Sequence, residues 1–478
     1  MKIAIAASEA APFLKTGGLG DVMQGLPSSL SRIPGNQVVL ILPYYGKIKN
    51  DPGIVTEFVT CFSISLAWRQ CHVGLFRLKS RRRNLQVYFV DNEQYFCRDT
   101  VYGQADDGER FAYFSKAALA CLCALDFRPE ILHCNDWQTA LIPMLLKSEF
   151  ASALPHTRSV FTIHNVEYQG WAGREFNYDV LGLPGEYTSV LDFGGASNFM
   201  KAAILTADAV TTVSETYAEE LRYPYFAHGM DKILAMCPDK LRGITNGIDC
   251  DAFDPASDRT LTQTYTGETL VDGKRQNKLA LQRDLGLEEN ADTPLLAIVT
   301  RLVNHKGIDL LCAIAQRLLA QKVQLVLLGT GDAQYETFFR ELQAQYPGQM
   351  SAQLQFDGGL ANRIYASADL YLMPSKSEPC GLSQIIAMRY GTVPVVHAVG
   401  GLRDTVPPYD PETRQGRGFT FQSYNAEDFL SAAERALTLY RQEPEAFRAL
   451  QKKNMAEDFS WKKPARRYLS LYEEISEH

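Results

Sequence analysis

The chain has 478 residues and a formal net charge of −7, a balance that argues against a general nucleic-acid binder. This length exceeds what one hydrophobic core usually holds, so we expect two domains. The composition, 46% apolar and 22% charged, is that of a globular protein, and no apolar run approaches a membrane span. Met1-Lys2 leads directly into an apolar strand, which predicts a cytoplasmic protein without a signal or transit peptide.

Short apolar runs alternate with segments of helical periodicity along both halves of the chain. The runs predicted as strands are Lys2–Ser8, Gln37–Leu42, His72–Leu78, Gln86–Asp91, Ile131–His133, Ser159–His164, Ala209–Ser214 and Gly243–Asn246 in the first half, and Leu295–Thr300, Val323–Leu328, Ala352–Phe356, Leu370–Met373, Val393–His397 and Gly418–Phe421 in the second. This alternation predicts an α/β fold with parallel sheets and helical crossovers. The turn at Asn246-Gly247 and the polar stretch 251–277 place the predicted domain boundary after Ile248.

The first strand runs into a glycine-rich loop that begins at Lys15 and opens a predicted helix. The first N–H groups of a helix have no partner within it, so this loop predicts a phosphate or diphosphate site, with the lysine as an added cation. Gly17, Gly18 and Gly20 do not have the Gly-x-Gly-x-x-Gly spacing of a dinucleotide fold. A tight turn with an incidental lysine is the alternative.

The second half of the chain repeats this arrangement. The strand Leu295–Val299 is followed by a loop with Arg301 and Lys306-Gly307, and the periodic segment Ile308–Leu319 comes next. A single loop of this kind is usually a solvated part of the surface. Because the chain has two such loops, we favour the interpretation that they face each other across a cleft and bind one diphosphate.

Polar side chains end two further strands of the first half. Asp136 follows one strand, and His164 and Asn165 stand at the end of another. Ligands of open α/β sheets bind beyond the carboxyl ends of strands, so these side chains are candidates for a site. Helix caps and a buried structural histidine are the alternatives. Tyr95 lies in a predicted loop, where an aromatic face suits a polyol.

The segment after Met373 combines a carboxylate with a helix start. Glu378 lies in the loop, and a helix is predicted to begin near Gly381 or Leu382. Free N–H groups at this helix suit a phosphate, and Glu378 can accept hydrogen bonds from sugar hydroxyls. The alternative is a carboxylate that only caps the helix.

The ten cysteines and eight histidines are scattered without metal-binding spacing. Cys121 and Cys123, two residues apart on a predicted helix, would not face one ligand. We therefore expect free thiols and neither a structural nor a catalytic metal.

Several motifs, taken together, resemble the bacterial glycogen synthase and plant starch synthase family over nearly the whole chain. They are Lys15-Thr-Gly-Gly-Leu19, His133-Cys-Asn-Asp-Trp137, Thr162-Ile-His-Asn165, Thr245-Asn-Gly-Ile-Asp249, Thr300-Arg-Leu302 with Lys306-Gly307, Glu378-Pro-Cys-Gly-Leu382, Arg389-Tyr-Gly-Thr-Val-Pro394 and Gly400-Gly-Leu-Arg-Asp-Thr-Val406. The resemblance implies a GT-B glycosyltransferase fold, with Rossmann-like domains at 1–248 and 249–460 facing a deep cleft. It also implies that a helix within 461–478 crosses back to the first domain.

The resemblance further implies a retaining glucosyltransferase. It would move glucose from ADP-glucose to the 4-hydroxyl at the non-reducing end of an α-1,4-glucan, namely glycogen, starch or a maltooligosaccharide, without a metal or cofactor. A UDP-glucose enzyme, a small acceptor such as a phosphosugar, and a non-catalytic glucan-binding or priming protein are the alternatives. The expected location is the cytoplasm or the glucan granule. A plastid is expected only if a transit peptide was removed.

Site residues follow from the resemblance by position in this sequence. It implies catalytic roles for Lys15, His164, Arg301, Lys306 and Glu378, donor-binding roles for Gly18, Asp136, Asn246, Gly358, Cys380, Gly381 and Leu382, and acceptor-binding roles for Asp21, Tyr95 and Asn165. Related retaining transferases carry a second glutamate where this chain has Ile386. Asp136 is the one candidate nucleophile for double displacement, but family analogy favours front-face attack, with the leaving phosphate taking the acceptor proton.

Overall fold

A computed structural model describes residues 1–80 and 82–477, and the chain divides into two compact units. Unit 1 comprises Met1–Gly247 with Trp461–His478, and unit 2 comprises Ile248–Ser460. Arg81 and His478, the last residue of the predicted terminal segment, lie outside the described residues. The first division falls one residue before the predicted boundary after Ile248.

Twelve strands in unit 1 and six in unit 2 are described within 1–80 and 82–477. Those of unit 1 are β1 (Lys2–Ala6), β2 (Gln37–Pro43), β3 (Thr56–Leu66), β4 (Arg69–Leu78), β5 (Leu85–Asp91), β6 (Ile131–Asn135), β7 (Arg158–Ile163), β8 (Trp171–Ala172), β9 (Asp192–Phe193), β10 (Ala196–Asn198), β11 (Ala209–Thr212) and β12 (Leu241–Gly243). Those of unit 2 are β13 (Leu295–Val299), β14 (Gln324–Leu328), β15 (Met350–Gln353), β16 (Leu370–Met373), β17 (Val393–His397) and β18 (Phe419–Phe421).

Helices connect most of these strands. In unit 1 they are α1 (Gly18–Ser31), α2 (Gly46–Lys49), α3 (Glu93–Phe96), α4 (Asp107–Ala124), α5 (Ile142–Lys147), α6 (Glu186–Leu191), α7 (Phe199–Thr206), α8 (Glu215–Glu220), α9 (Pro224–Ala227) and α10 (Asp231–Ala235). In unit 2 they are α11 (Leu270–Asp284), α12 (Ile308–Leu319), α13 (Ala333–Gln345), α14 (Gly358–Ser367), α15 (Ser383–Arg389), α16 (Gly400–Thr405), α17 (Ala426–Gln442) and α18 (Pro444–Ala456). The last helix, α19 (Lys462–Ser476), returns to unit 1.

The main sheet of unit 1 has the strand order β12-β11-β7-β6-β1-β2-β5-β4-β3. The strands from β12 to β5 are parallel, and β4 and β3 are antiparallel additions at one edge. Strand β3 was not predicted, because most of its side chains are exposed or half-buried and it lacks an apolar run. The strands β8, β10 and β9 form a separate small sheet.

Unit 2 contains six parallel strands in the order β15-β14-β13-β16-β17-β18. Its central strands are buried, as expected for a sheet with helices on both faces. Two strand ends were predicted three residues too late: β12 of unit 1 ends at Gly243 and not at Asn246, and β15 ends at Gln353 and not at Phe356, which is 91% exposed. The chain turns after Gln353, and the Asp357 side chain caps α14 by accepting the N–H of Leu360. Gly358 therefore opens a helix instead of following a strand directly.

The terminal helix packs on unit 1, as the resemblance implied. The hydroxyl of Tyr472 lies 2.7 Å from Nδ1 of His133, and both side chains are fully buried. Trp461 fits against Gly25, where an added Cβ would lie 1.9 Å from the indole nitrogen. At the exposed side of this contact, an ion pair joins Arg467 of α19 to Glu215 of α8. The helix is thus part of the core of unit 1.

The contact between Tyr472 and His133 predicts the effect of removing one hydroxyl. In Tyr472→Phe, the buried Nδ1 of His133 loses its partner, and we expect the free energy of unfolding to fall by about 1–3 kcal/mol. Urea denaturation monitored by circular dichroism would measure this change. Tyr178→Phe, at a side chain that is 56% exposed, is the matched control and should change stability by less than about 0.5 kcal/mol. Equal effects of the two variants would contradict the prediction.

Candidate active site

The glycine-rich loop between β1 and α1 is shaped by a carboxylate from its own chain. Glu9 is buried and accepts the backbone N–H of Thr16 at 2.9 Å, of Gly17 at 3.2 Å and of Gly20 at 3.0 Å. The expectation that all the first N–H groups of the helix are free is therefore wrong for Gly17 and Gly20. Helix α1 begins at Gly18, so the N–H of Gly18 remains a candidate donor to an anion.

Burial raises the pKa of Glu9 above its usual value, although the N–H donors of the loop oppose this shift. Tyr102 lies beside the same carboxylate, with its hydroxyl 3.4 Å from Oε2 and 2.8 Å from Oγ of Ser8. Sequence reasoning missed Glu9, because a carboxylate several residues before a glycine-rich loop matches no phosphate-site pattern. The only feature of the sequence that could have indicated Glu9 is its position at the end of the first strand.

Lys15 is held in an ion pair, with Nζ 2.7 Å from Oδ2 of Asp21. Asp21 lies in the first turn of α1, and burial raises its pKa while Lys15 lowers it. An added Cβ at Gly20 would lie 3.0 Å from Cβ and Cγ of Lys15, so the glycine makes room for the stem of the lysine. The structure therefore brings together the predicted cation and one predicted acceptor residue within unit 1.

Asp136 has an unusual backbone, with φ of 58° directly after β6. A positive φ is uncommon for a residue with a side chain and indicates a position that its surroundings hold in place. Its Oδ1 accepts the backbone N–H of His164 at 2.8 Å, and the N–H of Asn165 also contributes. Burial raises the pKa of Asp136 to about 7. The carboxylate thus clamps the end of β7 against the end of β6.

His164 and Asn165 are both half-buried at the end of β7. Burial lowers the pKa of His164 to about 3, so its ring is neutral at physiological pH. Nε2 of His164 lies 3.0 Å from Oδ1 of Asn135. The side chain of Asn165 instead accepts the N–H of Glu167 and shapes the following turn. The predicted trio of Asp136, His164 and Asn165 is therefore one connected cluster.

Two further predicted residues of unit 1 are buried. Tyr95 belongs to α3 and not to a loop; its side chain is 2% exposed, and its hydroxyl donates to Glu109 at 2.6 Å. The expectation of an open aromatic face there is wrong, because the ring packs on Phe96 and Tyr113. Asn246 is 6% exposed, and its Oδ1 has no hydrogen-bond partner in the described part of the chain.

In unit 2, Lys306 and Glu378 form a half-buried ion pair, with Nζ 2.7 Å from Oε2. Oγ of Ser375 donates to the same oxygen at 2.9 Å, so the carboxylate is held by two donors. Gly307 has φ of 73°, and an added Cβ would lie 2.0 Å from the carbonyl oxygen of Pro374. Only glycine fits there, and this close contact joins the Lys306 loop to the Glu378 loop. Arg301 is exposed at the start of the same loop.

The segment after Glu378 leads into α15, which begins at Ser383, one or two residues past the predicted start at Leu382 or Gly381. Its cap residue, Leu382, provides no side-chain cap, so the first N–H groups remain candidate donors. Nε2 of Gln384 donates to the carbonyl oxygens of Cys380 and Gly381 and holds the turn. Gln384 and Ser375 were not predicted, because each acts through its contacts with the motif residues.

No cluster of three or more His, Cys, Asp or Glu side chains suited to a metal ion occurs in the ranges 1–80 and 82–477. None of the helices in those ranges is long and apolar enough to cross a membrane.

Comparison with known proteins agrees with this architecture. Residues 2–236 match the family described as the starch synthase catalytic domain, and residues 285–454 match glycosyl transferases group 1. The class is therefore that of a glycosyltransferase. Glycogen synthase of Clostridium perfringens (strain 13 / Type A) is 46% identical over 99% of this chain and 98% of its own, and that of Bacillus cereus (strain Q1) is 42% identical over 100% of both.

A solved structure shows the same fold. The catalytic domain of starch synthase IV from Arabidopsis thaliana, bound to ADP and acarbose, has a TM-score of 0.92 and 35% identity, and the match covers 100% of this chain and 99% of that one. The chain belongs to the glycogen synthase and starch synthase family and has its GT-B fold. The predicted family, fold class and glucosyltransferase activity are confirmed.

The contacts of Glu9 predict that the shape of the loop matters for catalysis. In Glu9→Gln, an amide N–H replaces one acceptor oxygen and faces backbone donors, so we expect kcat/KM for glucosyl transfer to fall about tenfold. Initial rates and thermal melting would be measured together. The control is Glu130→Gln, because that carboxylate also accepts a backbone N–H, from Lys2, but lies outside the loop. An unchanged kcat/KM in Glu9→Gln would contradict the prediction.

Proposed function

We propose that this chain elongates an α-1,4-glucan by transferring glucose from ADP-glucose to the 4-hydroxyl at the non-reducing end, with retention and without a metal ion. The observation that carries the proposal is the Lys306–Glu378 pair, fixed by Ser375 beyond the carboxyl ends of the unit 2 strands. In a nucleotide sugar, the diphosphate suits a cation such as Lys306, and the sugar hydroxyls suit a buried carboxylate such as Glu378. The related starch synthase IV structure, with ADP and acarbose, supports the assignment.

Each unit contributes to the chemistry through charge and hydrogen bonding. Negative charge grows on the nucleoside diphosphate as it leaves, and preorganised cations stabilise that charge in the transition state. In unit 2, Arg301 and Lys306 have this role, and the free N–H groups around Leu382 add to it. Lys15 and the N–H of Gly18 offer the same chemistry in unit 1. Glu378 accepts hydrogen bonds from the donor glucose.

The geometry of Asp136 bears on the mechanism. Its carboxylate is engaged by the backbone N–H groups of His164 and Asn165, and this engagement suits a clamp better than a free nucleophile. We therefore propose front-face transfer, in which the leaving phosphate takes the acceptor proton as the acceptor oxygen attacks. Asn246, with its unpartnered buried Oδ1, is proposed to bind the sugar. Location in the cytoplasm, and association with glucan granules, stay predictions from the sequence.

The direct test is diphosphate release from ADP-glucose and from UDP-glucose, each with and without maltooligosaccharide, in the presence of EDTA. We expect release from ADP-glucose that depends on the oligosaccharide and yields longer chains. Preference for UDP-glucose would overturn the donor assignment. Loss of turnover with EDTA would overturn the metal-free assignment, and glucan binding without turnover would favour a non-catalytic protein.

Asp136 distinguishes the two mechanisms through a pair of variants. Asp136→Asn keeps an acceptor for the His164 N–H, so front-face transfer predicts that kcat falls no more than about tenfold, whereas Asp136→Ala should lose about 100-fold. Abolished turnover in both variants would indicate double displacement, because an amide cannot replace the nucleophile.

The same residue predicts a pH dependence. Its folded-state pKa of about 7 lies above its usual value of 3.8, so the folded state holds a proton that the unfolded state has lost between these two pH values. The wild type therefore loses stability as the pH rises from about 4 to about 7, and this loss stays constant above pH 7. The difference in melting temperature between wild type and Asp136→Asn should change between about pH 4 and pH 7 and level off above pH 7. A difference that stays constant from pH 4 to pH 7 would contradict this assignment.

Lys306 predicts a loss in the chemical step. In Lys306→Ala, the leaving diphosphate loses a cation where its charge grows, so we expect kcat to fall about 100-fold and KM for ADP-glucose to change less than about threefold. Steady-state kinetics with maltooligosaccharide would measure both values. Lys452→Ala, at an exposed lysine of α18, is the control and should leave both unchanged. An unchanged kcat with a raised KM would show that the contact only binds the donor.

A further inference from the structure

Asn135 is a fully buried residue at the end of β6, in contact with His164. Its Oδ1 lies 3.0 Å from Nε2 of His164. Its Nδ2 lies 3.2 Å from the carbonyl oxygen of Ala6 and 3.5 Å from that of His133. Asn135 thus joins the ends of β1, β6 and β7, the strands that lead into the site of unit 1.

These contacts fix the orientation of the Asn135 amide. A carbonyl oxygen can only accept a hydrogen bond, so the amide nitrogen must face Ala6 and His133. The amide oxygen then faces His164, and it too can only accept. Nε2 of His164 must therefore carry the ring proton, which leaves Nδ1 with a lone pair when the ring is neutral.

The surroundings of His164 keep the ring neutral. Two titratable groups interact with His164: Asp136, which accepts its backbone N–H, and His133. Both ring nitrogens of His133 face hydroxyls, of Tyr472 and Thr162, and burial lowers its pKa to about 3. In the described part of the chain, no carboxylate pairs with the His164 ring.

We propose that Asn135 is a positioning residue that holds His164 as its neutral Nε2–H tautomer, so that Nδ1 accepts a hydrogen bond from a hydroxyl of the bound sugar. The proposal rests on the proposed function and on the catalytic role that the family resemblance implies for His164, next to the donor glucose. A neutral acceptor suits a position next to the donor, because positive charge develops on the sugar ring in the transition state and an imidazolium would oppose it. His164 then orients a hydroxyl and donates no proton to the reaction.

The first test reads the tautomer directly in the full chain. With ¹⁵N-labelled histidine, the protonated and unprotonated ring nitrogens have separate chemical shifts, and His164→Gln assigns the signals. We expect His164 to be protonated at Nε2 and bare at Nδ1 from pH 6 to pH 9. A proton on Nδ1, or an imidazolium in this range, would overturn the proposal without any other variant.

The second test removes the amide. Asn135→Leu should mix the two tautomers of His164 and lower kcat about tenfold, with KM for ADP-glucose changed less than about threefold. Asn36→Leu is the matched control, because Asn36 is also buried in unit 1 and donates to the carbonyl oxygen of Leu30 at 3.1 Å. The control should lose comparable thermal stability and keep both kcat and the His164 signals.

The outcomes separate the two proposals. An unchanged tautomer and kcat in Asn135→Leu would overturn the role of Asn135. An unchanged kcat in His164→Gln would instead overturn the proposed role of His164 in transfer, whatever its tautomer. If Asn135→Leu does not fold, the wild-type tautomer still decides whether the amide sets the ring proton.

Discussion

Each of the two lysines that the sequence predicts as phosphate ligands is held by a carboxylate of its own unit. Lys15 pairs with Asp21, and Lys306 pairs with Glu378. The Lys306–Glu378 pair is largely buried, and an unpaired buried charge there would be strongly unfavourable, whereas the side chain of Lys15 is 41% exposed. The partner also fixes where the cation points, which makes the charge preorganised.

The same constraint explains the residues that surround the lysines. Ser375 donates to Glu378, so this carboxylate has a second partner besides Lys306. Gly307 lets the two loops of unit 2 approach within van der Waals contact, and Gly20 gives the stem of Lys15 its room. The glycines of these motifs thus position charge, and only some of their N–H groups remain for an anion.

Much of this could be predicted from the sequence, but in an uneven way. Buried parallel strands such as β13 and β16 are short apolar runs, so pattern alone found them and the α/β class. Strand β3 was missed, because an edge strand has no such run. Lys306 and Glu378 were found because motifs contain them. Glu9 lies in none of the motifs, and Asn135 lies in one but received no role, because both act through tertiary contacts that no local spacing records. Tyr95 was misplaced, since a helix of four residues is too short to show a helical period and has the same pattern as a loop.

The return of α19 to unit 1 has a consequence for folding. The helix can reach His133 only after the chain of unit 2 has closed a very long loop, and the entropy cost of such closure grows with loop length. Unit 2 shortens that loop by itself, because Ile248 and Ser460 at its two ends are bridged and the N–H of Ile248 donates to Phe459. Topologically, unit 2 is an insertion in unit 1, and its folding lowers the entropy cost of bringing the last helix to the core of unit 1.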